Sequence, residues 1–298
     1  MERLKSALLI IVLIALGSAA AVAGDTYPLL AERRDPALQH QLEQSVHTLG
    51  LSDAVKRGNL SVALVDITDP SAPHYAGLNG NEMMYAASLP KIAILLGAFK
   101  RIEDGQMKLD TRTREQLVRM IRHSSNSDAT AMLHRVGPEY LASLLESPKY
   151  RLYDPEHNGG LWVGKDYGKG GLWKRDPLHH LSHGATAFQV ARFYYMLETE
   201  QLVSPNLTQE MKAVLGKPAI KHKFVKGLIA NRPGSDIYRK SGTWRDFHAD
   251  SAIVERDGRR YIAVALAHSG QGSVWLSKLI VAMDDLVFKS STQVAALQ

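Results

Sequence analysis

Two apolar runs flank Asp257-Gly258 in "DSAIVERDGRRYIAVALAH", and this is the feature that most narrows the possible folds. Apolar runs on both sides of an Asp-Gly pair predict a β-hairpin, because the tight two-residue turn needs left-handed backbone at both positions. A third run, "NLSVALVDI" (Asn59 to Ile67), is rich in β-branched and aliphatic residues and ends at Thr68-Asp69-Pro70, which predicts another strand and turn nearly 200 positions upstream. "PHYAGLNGNEMMY" predicts a further short strand around an Asn-Gly turn.

Between these strands the pattern changes period. From Leu89 to Asp104 the apolar positions Ile92, Leu95, Leu96 and Phe99 recur at helical spacing, Pro90 lies in the first turn and Gly105 supplies the stop. Thr111 to Glu200 reads mainly as helices around a Gly- and Trp-rich stretch from Asn158 to His183, and Ser273 to Phe288 reads as a final amphipathic helix. Strands near both ends and helices between predict an α+β fold: an antiparallel sheet flanked by helices, with an inserted all-α subdomain. The expected division is one catalytic domain over 24–298, with an α/β lobe at about 24–105 and 205–298 and a helical lobe at about 106–204.

The N-terminus carries Arg3 and Lys5, an apolar stretch from Ala7 to Leu16 and the small-residue site Ala21-Val22-Ala23, the pattern of a secretory signal peptide over 1–23. The alternative is an uncleaved membrane anchor. Export to a periplasm or beyond is expected. The 298 residues contain no cysteine, so neither disulfides nor a lipidated cysteine contribute. The net charge of +6 is spread without a basic stripe interleaved with aromatics, which argues against nucleic acid and leaves the cell wall as a candidate neighbour.

Ser88 precedes the first long helix and Lys91 follows three residues later. At that spacing on a helix the amine can return to the hydroxyl, and the helix N-terminus favours an oxyanion and a neutral lysine. A serine activated by a neutral lysine is a workable nucleophile. An N-cap beside a solvated surface lysine has the same spacing, so the pair alone carries little weight.

Two further elements change that. "MIRHSSNSDATAML" contains Ser124-Ser125-Asn126, and "YRKSGTWRDF" contains Lys240-Ser241-Gly242 just before the hairpin. With Ser-x-x-Lys ahead of them, this order resembles the penicillin-recognising serine enzymes, and specifically the class A β-lactamase family, whose motifs are Ser-x-x-Lys, Ser-Asp-Asn and Lys-Thr-Gly. "RIEDGQMKLD" is similar to the end of that family's nucleophile helix, and "QVARFYYMLETEQLVSP" to the helix after its Ω-loop, so the likeness covers nearly all of the mature chain.

The resemblance implies the β-lactamase and D-Ala-D-Ala peptidase fold, with Ser88 as acyl-accepting nucleophile and Lys91 as its base. It implies that Ser124 passes the proton to the leaving nitrogen and that Asn126 holds the acyl side-chain amide. Lys240 would supply charge to a substrate carboxylate touched by the Ser241 and Thr243 hydroxyls. The backbone N–H groups of Ser88 and Thr243 would form the oxyanion hole, and Gly242 of the Lys-Ser-Gly triplet is expected among the substrate-binding residues. Trp244 is the aromatic expected against substrate. Trp162 and Trp173 could also line the cleft, although at least two of these three tryptophans are expected to pack against the fold.

There are two departures. The Ω-loop Glu-x-x-Leu-Asn, whose glutamate activates the deacylating water, is missing; the corresponding stretch offers the acids Glu156, Asp166 and Asp176 and the bases His179, His180 and His183. Asp176 is the candidate substitute base, with capping of its own loop as the alternative. Without a base, deacylation loses about 10²- to 10⁴-fold. The connection from the nucleophile helix to Ser124 is also shorter than in class A, which opens one wall of the cleft. His179 and His183 at i and i+4 could pair on a metal, yet no Glu or third ligand accompanies them, so no metal and no cofactor are expected. "GKDYGKGG" lacks the trailing Lys-Ser/Thr of a phosphate loop.

The expected protein is a monomeric, exported serine hydrolase that forms an acyl-enzyme on a β-lactam or related amide. The alternatives are a D,D-peptidase or esterase acting on cell-wall material, and a β-lactam-binding sensor that acylates once without turnover.

Overall fold

The structure is a computed structural model that describes residues 27–295, with side chains through 288; the expected signal peptide lies outside the described residues. Its elements run α1 (Pro36–Thr48), α2 (Ser52–Lys56), β1 (Leu60–Asp66), β2 (His74–Leu78), β3 (Met84–Tyr85), α3 (Lys91–Glu103), α4 (Thr111–Arg122), α5 (Asn126–Val136) and α6 (Pro138–Glu146). They continue through β4 (Tyr153–Asp154), β5 (Gly159–Gly160), β6 (Trp162–Val163), β7 (His183–Ala185), α7 (Ala187–Glu198), α8 (Pro205–Leu215), α9 (Phe224–Asn231), β8 (Asp236–Trp244), β9 (Phe247–Arg256), β10 (Arg259–His268) and α10 (Gly272–Ala295).

The main sheet has the order β2-β1-β10-β9-β8 and every pairing in it is antiparallel. The strand near the N-terminus thus pairs with the C-terminal hairpin, Leu60 opposite Ala267 and Asp66 opposite Tyr261. The hairpin turn is the expected Asp257-Gly258, both at positive φ (48° and 75°), so the twist of the turn matches that of its strands.

Side-chain alternation divides the sheet between two cores. Val62, Leu64, Ala263, Ala265 and Ala267 face one way, onto a cluster with Leu42 of α1, Leu228 of α9 and Leu279 and Met283 of α10. Ala63, Val65, Ile262, Val264 and Leu266 face the other way, into the core shared with α3 to α7. This is the α+β architecture expected, a sheet sandwiched between helices. Helix α7 lies directly against β1 and β10, so the sheet layer reclaims the chain before residue 204. Among the described residues no helix is long and apolar enough to cross a membrane.

Residues 147–186 form a long loop stiffened by short ladders. β3 pairs with β7 and β7 with β6, and the Ala86 amide donates to the His183 carbonyl at 2.9 Å. This ties the end of the loop to the segment just before Ser88.

Candidate active site

Three walls meet at Ser88: the turn leading into α3, the α4–α5 junction and the edge strand β8. The first turn differs slightly from expectation. α3 begins at Lys91 with Pro90 as its N-cap, and Ser88 lies in the preceding tight turn, where the Leu89 amide donates to the Ala86 carbonyl at 3.0 Å. Proline's fixed φ suits that entry, and Pro90 has no N–H to leave unpaired. Ala87, just before the serine, has φ +49°. Ser124, between α4 and α5, has φ +57°. Positive φ is costly for a residue with a Cβ, and two such residues flanking one cleft mark backbone held in place by the surrounding fold.

Lys91 is fully buried. Its Nζ donates to the Ser124 carbonyl at 2.7 Å and to Asn126 Oδ1 at 2.8 Å, and it lies 4.5 Å from the centre of the Tyr167 ring. The expected return of the amine to the Ser88 hydroxyl is not made: Lys91 Nζ is directed to two acceptors across the cleft, and Ser88 Oγ has no hydrogen-bond partner among the described residues. Burial lowers the Lys91 pKa to about 7. No carboxylate among the described residues hydrogen-bonds to it.

Lys240 is also buried, and its Nζ donates to Ser124 Oγ at 2.9 Å and to the Ser241 carbonyl at 2.7 Å. Burial, then the charges of Lys91 and Arg239, push its amine well below the ordinary lysine value. Ser124 is thus the common partner of both lysines, through its carbonyl to one and its hydroxyl to the other.

Gly242 is where β8 presses against the Ser88 turn. A Cβ there would lie 2.0 Å from the Ala86 carbonyl oxygen and 2.9 Å from the Ser88 nitrogen, so no other residue fits without moving the strand. This contact brings the Thr243 segment beside the Ser88 amide, where two N–H groups can converge on an oxyanion.

Lys223, which sequence reasoning missed, supports that strand from behind. It is buried, donates to the Gly242 carbonyl and to Thr243 Oγ1 (2.7 Å), and reaches the Ala249 carbonyl at 3.1 Å. Burial brings its pKa down to about 8. It also has φ +52°. No local motif announces it: the side chain crosses from the residue before α9 to β8, a contact that only the folded sheet creates.

Asp176 occupies the alternative considered for it. The carboxylate is fully buried and accepts from Tyr153 Oη (2.9 Å), from the Leu178 and His179 amides (3.2 and 2.9 Å) and from the Leu181 amide. It does not line the cavity beside Ser88. These bonds organise its own loop and leave the carboxylate no free face for water, so the geometry gives the base role no support. The other two acids are committed as well: Asp166 pairs with His134 Nε2 at 2.7 Å, and Glu156 with Arg151 at 2.6 Å. His179 and His183 do not converge on a metal, since His179 Nε2 meets Asn158 and His183 Nε2 meets the Lys165 carbonyl.

Tyr167 occupies the loop side of Lys91. Its ring packs 4.2 Å from His183, and its buried hydroxyl has no hydrogen-bond partner among the described residues. Burial lowers the His183 pKa to about 4, so the imidazole stays neutral near pH 7. Of the tryptophans, Trp162 is buried with Nε1 on the Lys174 carbonyl (3.0 Å) and Trp173 stacks on it, while Trp244 is 47% exposed and lines the cavity beside Ser88.

Comparison with known proteins places the fold. The chain matches the family described as "Beta-lactamase enzyme family" over residues 41–118 and 113–287. Among solved structures it is similar to PBP-A, at 16% identity and TM-score 0.63 over 88% of this chain and 98% of that one. It is similar to a β-lactamase from Xanthomonas campestris pv. campestris, at 16% identity and TM-score 0.64 over 84% and 98%. A variant of the last common ancestor of Gram-negative bacteria class A β-lactamase is similar at 19% identity and TM-score 0.63 over 86% and 99%. No curated protein matches the sequence. The matched segments span most of the chain, and it belongs to the β-lactamase enzyme family.

Proposed function

We propose that the protein is an exported serine hydrolase that forms an acyl-enzyme on Ser88 with a β-lactam or related amide. The observation that carries this reading is Lys91, buried, with a pKa near 7, three residues from an unpartnered serine hydroxyl. In the first half-reaction Ser88 Oγ attacks the substrate carbonyl and its proton passes to neutral Lys91. The amides of Ser88 and Thr243 hold the oxyanion. When the C–N bond breaks, the nitrogen takes a proton through the Ser124 hydroxyl, which Lys240 contacts. Asn126 orients the acyl amide. The hydroxyls of Ser241 and Thr243 hold a substrate carboxylate, with Lys240 and Lys223 behind them.

The second half-reaction transfers the acyl group from Ser88 to water and returns the proton to Oγ. Here the site is poorer, because Tyr167 faces Lys91 where a carboxylate would activate water, and Asp176 is spent on its loop. We assign the protein slow release of β-lactam acyl groups. This favours the other two readings, a D,D-peptidase or esterase on cell-wall material and a β-lactam-binding sensor that acylates once without turnover, over efficient β-lactam hydrolysis. A PBP-A variant has been captured as an acyl-enzyme complex with penicillin G. Steady-state turnover on a D-Ala-terminated depsipeptide, compared with benzylpenicillin, tests this: faster turnover of the depsipeptide supports the peptidase or esterase, a lasting adduct with turnover of neither supports the sensor, and faster turnover of benzylpenicillin identifies a β-lactamase with a base other than a loop carboxylate.

A further inference from the structure

A cavity of about 540 Å³ opens beside Ser88, between β8 and the loop from 165 to 183, and its two sides differ in chemistry. One side is aromatic. Tyr85 meets Trp244 and Phe247 edge-on at 5.3 and 5.4 Å, and Trp244 lies at 23° to Phe247 with centroids 6.3 Å apart. Phe247 is backed by His268, stacked at 4.1 Å, and Arg245 lies 4.5 Å over the Trp244 ring. The wall is therefore braced in place although Trp244 is half exposed, and apolar groups laid along it remove its surface from water.

The other side is cationic. Lys165 and Arg175 line the same cavity. Among the described residues the Lys165 ammonium has no carboxylate partner, and Arg175 donates only to the His180 carbonyl (2.9 Å), which leaves most of its guanidinium donors available. The one acid in the lining, Asp166, is already paired with His134. An anion is the complement of this lip.

We infer that this cavity selects the acyl half of the substrate, favouring acyl chains whose apolar stem lies along Tyr85, Trp244 and Phe247 and whose far end carries a carboxylate facing Lys165 and Arg175. The inference rests on acylation at Ser88 as proposed above, which fixes one end of the chain next to Thr243 and sends the other into the cavity.

The experiment uses three penicillins on one nucleus, with heptanoyl, 6-carboxyhexanoyl and 6-aminohexanoyl side chains, and follows acylation of the mature protein by intact-mass spectrometry. The expected order of acylation rates is carboxylate, neutral, ammonium, with steps of about fivefold at low salt that shrink at high salt. In Lys165→Ala/Arg175→Ala the order collapses while the heptanoyl rate is retained, which also shows that the variant is folded. Equal rates in the wild type, or an ammonium side chain reacting fastest, would overturn the inference while leaving Ser88 acylation intact. No adduct with any of the three would overturn both.

Discussion

A Cβ on Gly242 would lie 2.0 Å from the Ala86 carbonyl oxygen, so the edge strand and the nucleophile turn are in contact through a residue that cannot grow. Gly242→Ala must push β8 away from Ser88 and separate the two amides proposed to hold the oxyanion. We expect acylation to fall by about 10²- to 10³-fold, the cost of losing one such donor. Stopped-flow acylation with a chromogenic cephalosporin, alongside a thermal melt showing that the variant folds, checks this.

The pH dependence of acylation follows from Lys91. Its pKa is lowered from 10.5 to about 7, so the neutral base grows in as pH rises through that value. The acylation rate should climb about tenfold per pH unit below 7 and level off above it. For stability the sign is fixed by linkage: the unfolded state binds the extra proton between about 7 and 10.5, so stability rises with pH across that window. Lys91→Met removes Lys91's share of this slope, leaving the shares of Lys223 and Lys240, and abolishes acylation, as pH-dependent urea titrations and mass spectrometry will show.

Asp176→Asn separates a structural carboxylate from a catalytic one. Replacing Oδ2 by an amide sets a donor against the Leu181 amide and should cost about 1–3 kcal/mol of stability. The lifetime of a penicilloyl adduct should change by less than about threefold, since a lost general base would lengthen it by 10²-fold or more. A much longer lifetime at unchanged stability would restore Asp176 as the base.

Lys223→Ala leaves the Gly242 and Ala249 carbonyls without their buried donor. We expect a loss of about 1–3 kcal/mol and slower acylation, read by denaturant titration and adduct kinetics. Lys223→Arg should recover less than its charge suggests, because a planar fork replaces a compact ammonium in a closed site.

Much of this fold was legible because local chemistry and global topology agree. Asp257-Gly258 adopts the left-handed pair that its residue types favour, and the alternation in β1 and β10 matches the two cores. Ser88, Lys91, Ser124, Asn126 and Lys240 could be selected because they sit in short, ordered motifs, and the fold brings them to one cleft. What the motifs could not supply was direction. The i+3 spacing suggested that Lys91 would turn to Ser88, yet the turn at 87–90 delays the helix and the better acceptors lie across the cleft on Ser124 and Asn126. Asp176 looked free because its hydrogen bonds come from amides two to five residues ahead and from the distant Tyr153 hydroxyl, which amino-acid type does not reveal. Lys223 and Tyr167 were invisible for a related reason: each acts on a residue far away in the chain, and neither carries a motif.

The central claim is that Ser88 is acylated and slowly freed. Intact-mass spectrometry over time, with benzylpenicillin in excess and then removed, tests it most directly. The expected result is one penicilloyl group per chain on the wild type, none on Ser88→Ala, and an adduct that persists long after the free drug is gone. An unmodified wild type, or equal labelling of Ser88→Ala, would contradict it.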